Sequence, residues 1–232
     1  MLTFPKTIAG LRKHYGALSP PPAKGPFEHV MWENACYLLP DDRRLEVFEA
    51  LRKQVGLDAS MIHAAPDSVL LPIAVRGGMR PETRVFRWRE IARITLGQFD
   101  GNLDSILRKP YPEAKRALKL FPNIGDPGAE KILMFCGMAS SLPLESNGLR
   151  VLTRLGWGRA QQNYGAMYRS VIDDLQPSLP GEVEVLTEAH LLLREHGKTL
   201  CKDKTPLCSE CPLANGCDYA KHRAAEFLRP DV

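Results

Sequence analysis

The chain has 232 residues, of which 44% are hydrophobic and 25% are charged, and no apolar run is long enough to cross a bilayer. This composition excludes a membrane-spanning protein and predicts a soluble fold of one or two domains with a sizeable core. Lys and Arg number 31 against 27 acidic residues, which gives a formal charge of +4. That mild excess is compatible with a phosphate-bearing partner but does not require one.

Helical periodicity is the dominant pattern along the chain. Residues 4–18 predict an amphipathic helix, which ends at a proline run that cannot continue it. A third predicted helix is capped by Asp41 and Asp42 and carries Leu45 on its apolar face. The other predicted helices cover residues 27–39, 66–74, 81–96, 103–107, 112–120, 160–175 and 183–196. Because no stretch alternates as a strand, the predicted fold class is all-α.

Residues 118–133 predict two helices joined by a tight turn. Asn123 and Gly125 suit this turn, since both residue types tolerate positive φ. Asp126 is the expected N-cap of the second helix, and Pro127 is its expected first residue. A helix N-terminus presented in this way can bind a phosphate whatever the base sequence. The backbone N–H groups expected to face it belong to Ile124, Gly125 and Gly128. An ordinary helical hairpin is the alternative.

Four of the six cysteines lie close together, with the spacing C-x6-C-x2-C-x5-C. They are Cys201, Cys208, Cys211 and Cys217. Four thiolates on a short loop suit either tetrahedral zinc or an iron–sulfur cube, and the long, unequal outer intervals favour the cube. We therefore expect a [4Fe-4S] cluster. Disulfides are not expected, because nothing at the N-terminus resembles a signal peptide and cytosolic thiols stay reduced.

The cysteine spacing resembles the iron–sulfur loop of the endonuclease III family of DNA glycosylases. The turn at Asn123 resembles the helix-hairpin-helix motif of the same superfamily, with asparagine in place of the first glycine. The resemblance implies a six-helix barrel over residues 26–140, which includes the hairpin. It also implies a helical cluster domain over residues 1–25 and 141–232, with a cleft between the two domains.

The resemblance also implies a catalytic carboxylate. The family's Val-Asp-Thr-His-x-x-Arg-Val stretch matches residues 144–151, and its Asp falls on Glu145, one methylene longer. The adenine-mismatch glycosylases of the superfamily carry a Glu where this chain has Glu33. A buried Glu33 with a raised pKa would protonate the departing base. The alternative is an exposed helix glutamate.

The position of the family's Schiff-base lysine is occupied by Pro127, which has no amine. The resemblance therefore implies a monofunctional DNA glycosylase without lyase activity. Lys131, one helical turn later, is expected to be solvated or to face a phosphate. The other hypothesis is a protein that binds damaged or abasic DNA without cleaving it, because the usual Asp, His and Lys are replaced by Glu145, Asn147 and Pro127.

The expected partner is double-stranded DNA that contains a damaged or mismatched base, which must leave the helix to be cleaved. Met79 is a candidate wedge in the base stack. The protein is expected to be monomeric and cytoplasmic, and nucleoid-associated if it is bacterial. The residues expected to contact DNA are Asn123, Ile124, Gly125, Gly128, Lys131, Asn147, Arg150, Lys202 and Lys204.

Overall fold

The computed structural model describes residues 2–36, 39–159, 161 and 163–227, and within these ranges it contains helices and no strand. The all-α prediction is confirmed. The α-helices are α1 Phe4–Tyr15, α2 Gly25–Glu33, α3 Asp41–Gln54, α4 Ala59–Ala64, α5 Asp67–Arg76, α6 Pro81–Gln98, α7 Tyr111–Leu118, α8 Asp126–Phe135, α9 Ser146–Leu155, α10 Tyr164–Leu175, α11 Val183–Thr199 and α12 Asp218–Phe227. None of the described helices is both long and apolar enough to span a membrane.

The chain divides into two compact units, each with its own interior. The central unit is Pro21–Met138, and the terminal unit combines Met1–Pro20 with Ala139–Val232. The central unit therefore contains α2 to α8, and the terminal unit contains α1 together with α9 to α12.

The central unit is built around α6, whose Trp88 and Ile91 are fully buried. Helices α4 and α5 pack against α6, and α3 packs against α5. The other fully buried large side chains of this unit include Phe48, Leu51, Ile62, Leu70, Ile73 and Leu118. Each such side chain stabilises the fold by about 1.5–3 kcal/mol relative to an exposed one.

The terminal unit is organised by α11, which packs against α9 on one side and α1 on the other. Gly197 lets α9 approach α11 closely, because a Cβ at this position would lie 2.7 Å from the backbone oxygen of Asn147. On the α1 side, the Tyr15 hydroxyl lies 3.0 Å from Nδ1 of His196 and 2.9 Å from Oγ1 of Thr199. These contacts fix the end of α11 that leads into the cysteine loop.

Several helix boundaries differ from the sequence-based predictions. Helix α2 ends at Glu33 rather than near residue 39. Helix α3 begins at Asp41 with Pro40 as its N-cap, so Asp41 and Asp42 lie in the first turn and do not cap it. Leu45 is 42% exposed, because the buried face of α3 is formed by its neighbours along the helix. Leu38, inside the predicted helix of residues 27–39, and Ala160, at the start of the predicted helix of residues 160–175, lie outside the described residues.

Candidate functional site

The turn between α7 and α8 has the geometry that its sequence requires. The N–H of Ile124 donates to the carbonyl of Phe121 at 3.2 Å, which closes a four-residue turn around Pro122 and Asn123. Asn123 has φ +61°, as expected for the third position of a type II turn after proline. Gly125 has φ −93° and is the N-cap of α8, so the prediction of Asp126 as N-cap is wrong. Only Asn123 needs the left-handed conformation here.

The start of α8 presents free backbone donors. The N–H of Ala129 makes the first helical bond, 2.9 Å long, to the carbonyl of Gly125. The N–H groups that precede it have no partner within the helix, as at every helix start. A Cβ at Gly125 would meet nothing within 4 Å, so the surface here is open. The phosphate contact of Gly125 and Gly128 stays a prediction, whereas the N–H of Ile124 is used by the turn and its side chain is buried.

The negative charge of Asp126 at this turn is balanced by two lysines. Lys119 Nζ lies 2.9 Å from one carboxylate oxygen of Asp126, and Lys115 Nζ lies 3.1 Å from the other. The hydrogen bond from Lys119, followed by that from Lys115, holds the pKa of Asp126 below its usual range. Lys115 also lies 2.6 Å from Glu130, so the two lysines balance the two carboxylates and no excess negative charge is left beside the open helix start.

Glu33 and Lys131 form an ion pair inside the central unit. Lys131 Nζ lies 2.8 Å from Oε2 of Glu33, and the two side chains are 17% and 19% exposed. Burial favours the neutral acid, but the charges of Lys131 and Arg44 outweigh it, and the pKa of Glu33 is lowered. The prediction of a raised pKa is wrong, and Glu33 is ionised at neutral pH. Lys131 was predicted to be solvated or to face a phosphate; the ion pair contradicts the first alternative, and the second stays a prediction.

His29 lies one helical turn before Glu33 on α2. It is 4% exposed and stacks on Phe135, with 5.3 Å between the ring centroids. Burial, assisted by the nearby charge of Lys131, lowers the pKa of His29 to about 4. The imidazole is therefore neutral at physiological pH.

Glu145 stands at the start of α9, where both of its carboxylate oxygens have partners. Oε1 accepts a hydrogen bond of 2.8 Å from Nδ2 of Asn147. Oε2 lies 3.4 Å from Nε of Arg194 on α11. The carboxylate is about one quarter exposed and is held between two elements of the terminal unit. It is therefore oriented and accessible, as a catalytic carboxylate must be.

Arg150 connects this region to the cysteine loop. Its Nη2 donates to Oδ1 of Asn147 and to the carbonyl of Gly197, both at 2.8 Å. Its Nε donates to the carbonyl of Cys201 at 2.9 Å. Asn147 and Arg150, both predicted to contact DNA, thus form a continuous chain of hydrogen bonds from Glu145 to the first cysteine of the loop.

The four predicted ligand cysteines line one pocket of the terminal unit. The apolar part of its wall is formed by residues such as Leu155, Leu200 and Leu213. Burial raises the pKa of the Cys211 thiol to about 11, and the other three thiols add to this effect. No group of three or more His, Cys, Asp or Glu side chains in the described part of the chain is arranged to hold a metal ion. Four thiols around a shared space match the donor set of an iron–sulfur cube, in which each iron takes its own thiolate.

Two further side chains contact these thiols. Nη1 of Arg154 lies 3.4 Å from Sγ of Cys201, and Nε2 of His196 lies 3.4 Å from Sγ of Cys211. Arg154 also donates to the carbonyls of Lys202 and Asp203 at 2.6 Å, which fixes the course of the loop. The side chains of Lys202 and Lys204 are exposed, as their predicted contact with DNA requires.

Met79 is the most exposed of the large hydrophobic residues described, at 79%. The loop that carries it is held from below by the buried guanidinium of Arg84. Nη2 of Arg84 donates to the carbonyls of Gly77 and Met79, at 2.6 and 3.2 Å. Arg84 thus fixes the backbone of the loop, while the Met79 side chain stays exposed.

Sequence reasoning missed two residues of these sites, Asn34 and Arg194. Asn34 is buried and bonds to the turn at Pro122 and Asn123, and Arg194 pairs with Glu145. A polar residue directly after an apolar helix is a weak signal that could have indicated Asn34. The sequence offered no signal for Arg194, which lies on an ordinary amphipathic helix.

Similarity to proteins of known function agrees with these features. The chain is 24% identical to endonuclease III of Sulfolobus acidocaldarius over 181 residues, which cover 77% of this chain and 75% of that protein. It is 30% identical to the thymine/uracil-DNA glycosylase of Pyrobaculum aerophilum over 105 residues, 45% of each chain. The matched stretch thus spans three quarters of the first relative and less than half of the second. Comparison with models of known protein families finds no match.

The fold has a counterpart among solved structures. A non-covalent endonuclease III–DNA complex superimposes with a TM-score of 0.76 over 97% of this chain and 100% of the other, at 19% identity. The all-α fold is therefore shared with endonuclease III. In sequence and in fold, the chain is similar to endonuclease III-like DNA glycosylases.

Proposed function

We propose that the protein is a base-excision-repair DNA glycosylase that hydrolyses the N-glycosidic bond of a damaged or mismatched base in double-stranded DNA. The observation that carries this proposal is the Glu145 carboxylate, oriented by Asn147 and Arg194 while it remains partly exposed. The similarity to endonuclease III and to thymine/uracil-DNA glycosylase supports the same reaction class.

Glu145 supplies the chemistry at the sugar. When the bond between C1′ and the base nitrogen breaks, positive charge develops on the sugar, and a fixed carboxylate stabilises it. A water oxygen then bonds to C1′, its proton passes to the carboxylate or to solvent, and the base leaves as its protonated form. Carboxylates act in this way in other enzymes that hydrolyse glycosidic bonds.

Glu33 is not the proton donor in this proposal. Its pairing with Lys131 keeps the carboxylate ionised at neutral pH, so it has no proton to give. Its ion pair with Lys131 instead fixes the position of α8. In this proposal the departing base takes its proton from water or from a group of the DNA.

The enzyme is proposed to be monofunctional. Pro127 occupies the position of the nucleophilic lysine in the family motif, and Lys115 and Lys119, which precede the turn, are ion-paired with Asp126. Lys131 pairs with Glu33, and Lys115 also pairs with Glu130 at 2.6 Å. A lysine held as an ammonium ion has no lone pair with which to attack C1′. The product is therefore an abasic site and not a cut strand.

We further propose that Cys201, Cys208, Cys211 and Cys217 hold a [4Fe-4S] cluster. The pocket that these residues line and the similarity to endonuclease III support this assignment. When bound, the cluster supplies structural cross-links within the loop. Lys202 and Lys204, which the loop exposes, would then contact DNA phosphates and make binding depend on salt.

A cleavage panel tests the proposed function. Duplexes that each carry uracil, a mismatched thymine, adenine opposite an oxidised guanine, or an alkylated purine are incubated with the purified protein and scored with and without hot alkali. We expect strand breaks only after alkali treatment. The breaks should disappear in Glu145→Gln and persist in the control Glu184→Gln, which changes an exposed carboxylate of the same unit. Breaks without alkali would refute the monofunctional mechanism. Binding without cleavage of any duplex would establish a non-cleaving binder of damaged DNA instead.

A further inference from the structure

The turn at Pro122 and Asn123 depends on a left-handed residue that is not glycine. Asn123 occupies the left-handed region at φ +61°, where glycine is the usual residue. Asparagine reaches this region more easily than most residues, but in a short loop it also samples other conformations. A contact outside the turn must therefore stabilise the left-handed conformation of Asn123, so that the N–H groups at the start of α8 can bind one phosphate.

Asn34, the residue that caps the C-terminus of α2, supplies this selection. Its Oδ1 accepts a hydrogen bond of 2.9 Å from Nδ2 of Asn123, and its Nδ2 donates to the carbonyl of Pro122 at 3.0 Å. The two central residues of the turn are thus bound by one side-chain amide. The remaining donor capacity of Nδ2 goes to the carbonyl of Val30, also at 3.0 Å.

Asn34 is itself held in place. It is 4% exposed, and its backbone carbonyl accepts a hydrogen bond of 3.1 Å from Nε1 of the fully buried Trp88. The preceding residue, Glu33, binds Lys131 on α8. Two successive residues at the end of α2 therefore fix both the turn and the helix that follows it.

We propose that Asn34 is a positioning residue for DNA binding, which locks the turn at Pro122 and Asn123 into the conformation that presents the α8 N-terminus to a phosphate. This inference rests on the proposed DNA partner. A contact to phosphate carries no sequence information, so its loss weakens binding to damaged and undamaged duplexes by the same factor.

Variants of both partners test the proposal. Asn34→Ala removes every hydrogen bond from the Asn34 side chain to the turn. Asn123→Ala removes one of these bonds and disfavours positive φ, and because Asn123 is exposed this variant should still fold. Each is expected to raise the Kd for duplex DNA by about tenfold, while the single-turnover rate at saturating protein stays within about threefold of wild type. Asn123→Gly, which enters the left-handed region freely, is expected to lower the Kd again when added to Asn34→Ala.

Thr95→Ala is the matched control. Thr95 is 1% exposed in the same unit, and its hydroxyl bonds to the carbonyl of Ile91 at 2.9 Å, so this variant loses a buried hydrogen bond away from the turn. It is expected to bind as wild type does. An equal rise in Kd for Thr95→Ala, or no rescue by Asn123→Gly, would show that Asn34 acts through general stability and would overturn the proposal.

The wild-type results separate this inference from the proposed function. If the wild type binds duplexes and cleaves none, the glycosylase proposal fails, and the Kd comparison still decides the role of Asn34. If it cleaves while Asn34→Ala and Asn123→Ala bind unchanged, only the positioning role is wrong. If the wild type binds no duplex, both proposals are overturned.

Discussion

Lys131 Nζ lies 2.8 Å from Oε2 of Glu33, and this ion pair joins the end of α2 to the second turn of α8. Each side chain is less than one-fifth exposed, so neither charge is well solvated without the other. The pair therefore changes the role expected for both residues. Glu33 is a stabilised carboxylate and not an acid, and Lys131 is a structural cation beside the hairpin and not a free amine.

Removal of one charge from this pair should destabilise the protein more than removal of both. Lys131→Met leaves the Glu33 carboxylate buried without its partner and should lower the free energy of unfolding by about 2–3 kcal/mol. The double variant Glu33→Gln/Lys131→Met leaves no unpaired charge and should recover part of this loss. Equilibrium urea unfolding at pH 7 measures both values.

An exposed lysine provides the control for this comparison. Lys109→Met in the same unit removes a surface charge and should change the free energy of unfolding by less than about 0.5 kcal/mol. If Lys131→Met were no more destabilising than Lys109→Met, the ion pair would contribute nothing to the folded state.

His29 should make the stability of the protein depend on pH below neutrality. Its pKa is lowered to about 4 by burial, against about 6.5 in the unfolded chain. As pH falls below 6.5, the unfolded chain binds a proton that the folded chain excludes, so stability is complete above 6.5 and is lost toward pH 4. The loss between pH 7 and pH 5 should be about 2 kcal/mol.

The variant His29→Phe isolates this contribution, because it keeps an aromatic ring against Phe135 and removes the titrating group. His196 also has its pKa lowered to about 4 by burial and acts in the same pH range. The decisive quantity is therefore the difference between the slopes of unfolding free energy against pH for variant and wild type. Identical slopes would mean that His29 titrates normally in the folded protein.

The local parts of this site could be read from the sequence, and the long-range parts could not. Pro122 before Asn123 indicates a turn, because proline and a residue tolerant of positive φ suit adjacent turn positions. The four cysteines lie within one short loop, so their shared pocket follows from proximity along the chain. Asn34 and Asn123 are 89 residues apart, and no local pattern predicts that their side chains meet.

The protonation state of Glu33 also depends on long-range contacts that the sequence does not predict. Its place in an apolar helix correctly indicated burial, and burial alone raises the pKa of a carboxyl group. The opposite net shift arises from Lys131 and Arg44, which lie on α8 and α3. The sign of a pKa shift depends on which charges the tertiary fold brings close, and helical periodicity does not contain that information.

Arg150 should be required for stable cluster binding. Its guanidinium binds the carbonyls of Gly197 and Cys201 together, which fixes the start of the cysteine loop. Lysine carries the charge but lacks the planar arrangement of donors, so Arg150→Lys should lose iron faster during dialysis against a chelator. Iron and sulfide content per chain measures this loss. Arg12→Lys, at a 66% exposed side chain of the same unit, should retain its iron as wild type does.

Arg194 should set the rate of base removal through its contact with Glu145. Its Nε lies 3.4 Å from Oε2, and the longer glutamate side chain is held between this guanidinium and the Asn147 amide. Without it the carboxylate is free to turn away from the sugar, and a displacement of about 1 Å costs up to about 100-fold in rate.

Arg194→Gln should therefore slow single-turnover base excision by about 10- to 100-fold, whereas the Kd for an abasic-site duplex should stay within about threefold. Arg194→Lys should have an intermediate rate, since it restores the charge without the planar donor group. Glu145→Asp is the sharper test, because it matches the shorter residue of the family motif but withdraws the carboxylate from Arg194. We expect this variant to be slower than wild type, and a faster rate would mean that Arg194 holds Glu145 away from its most productive position.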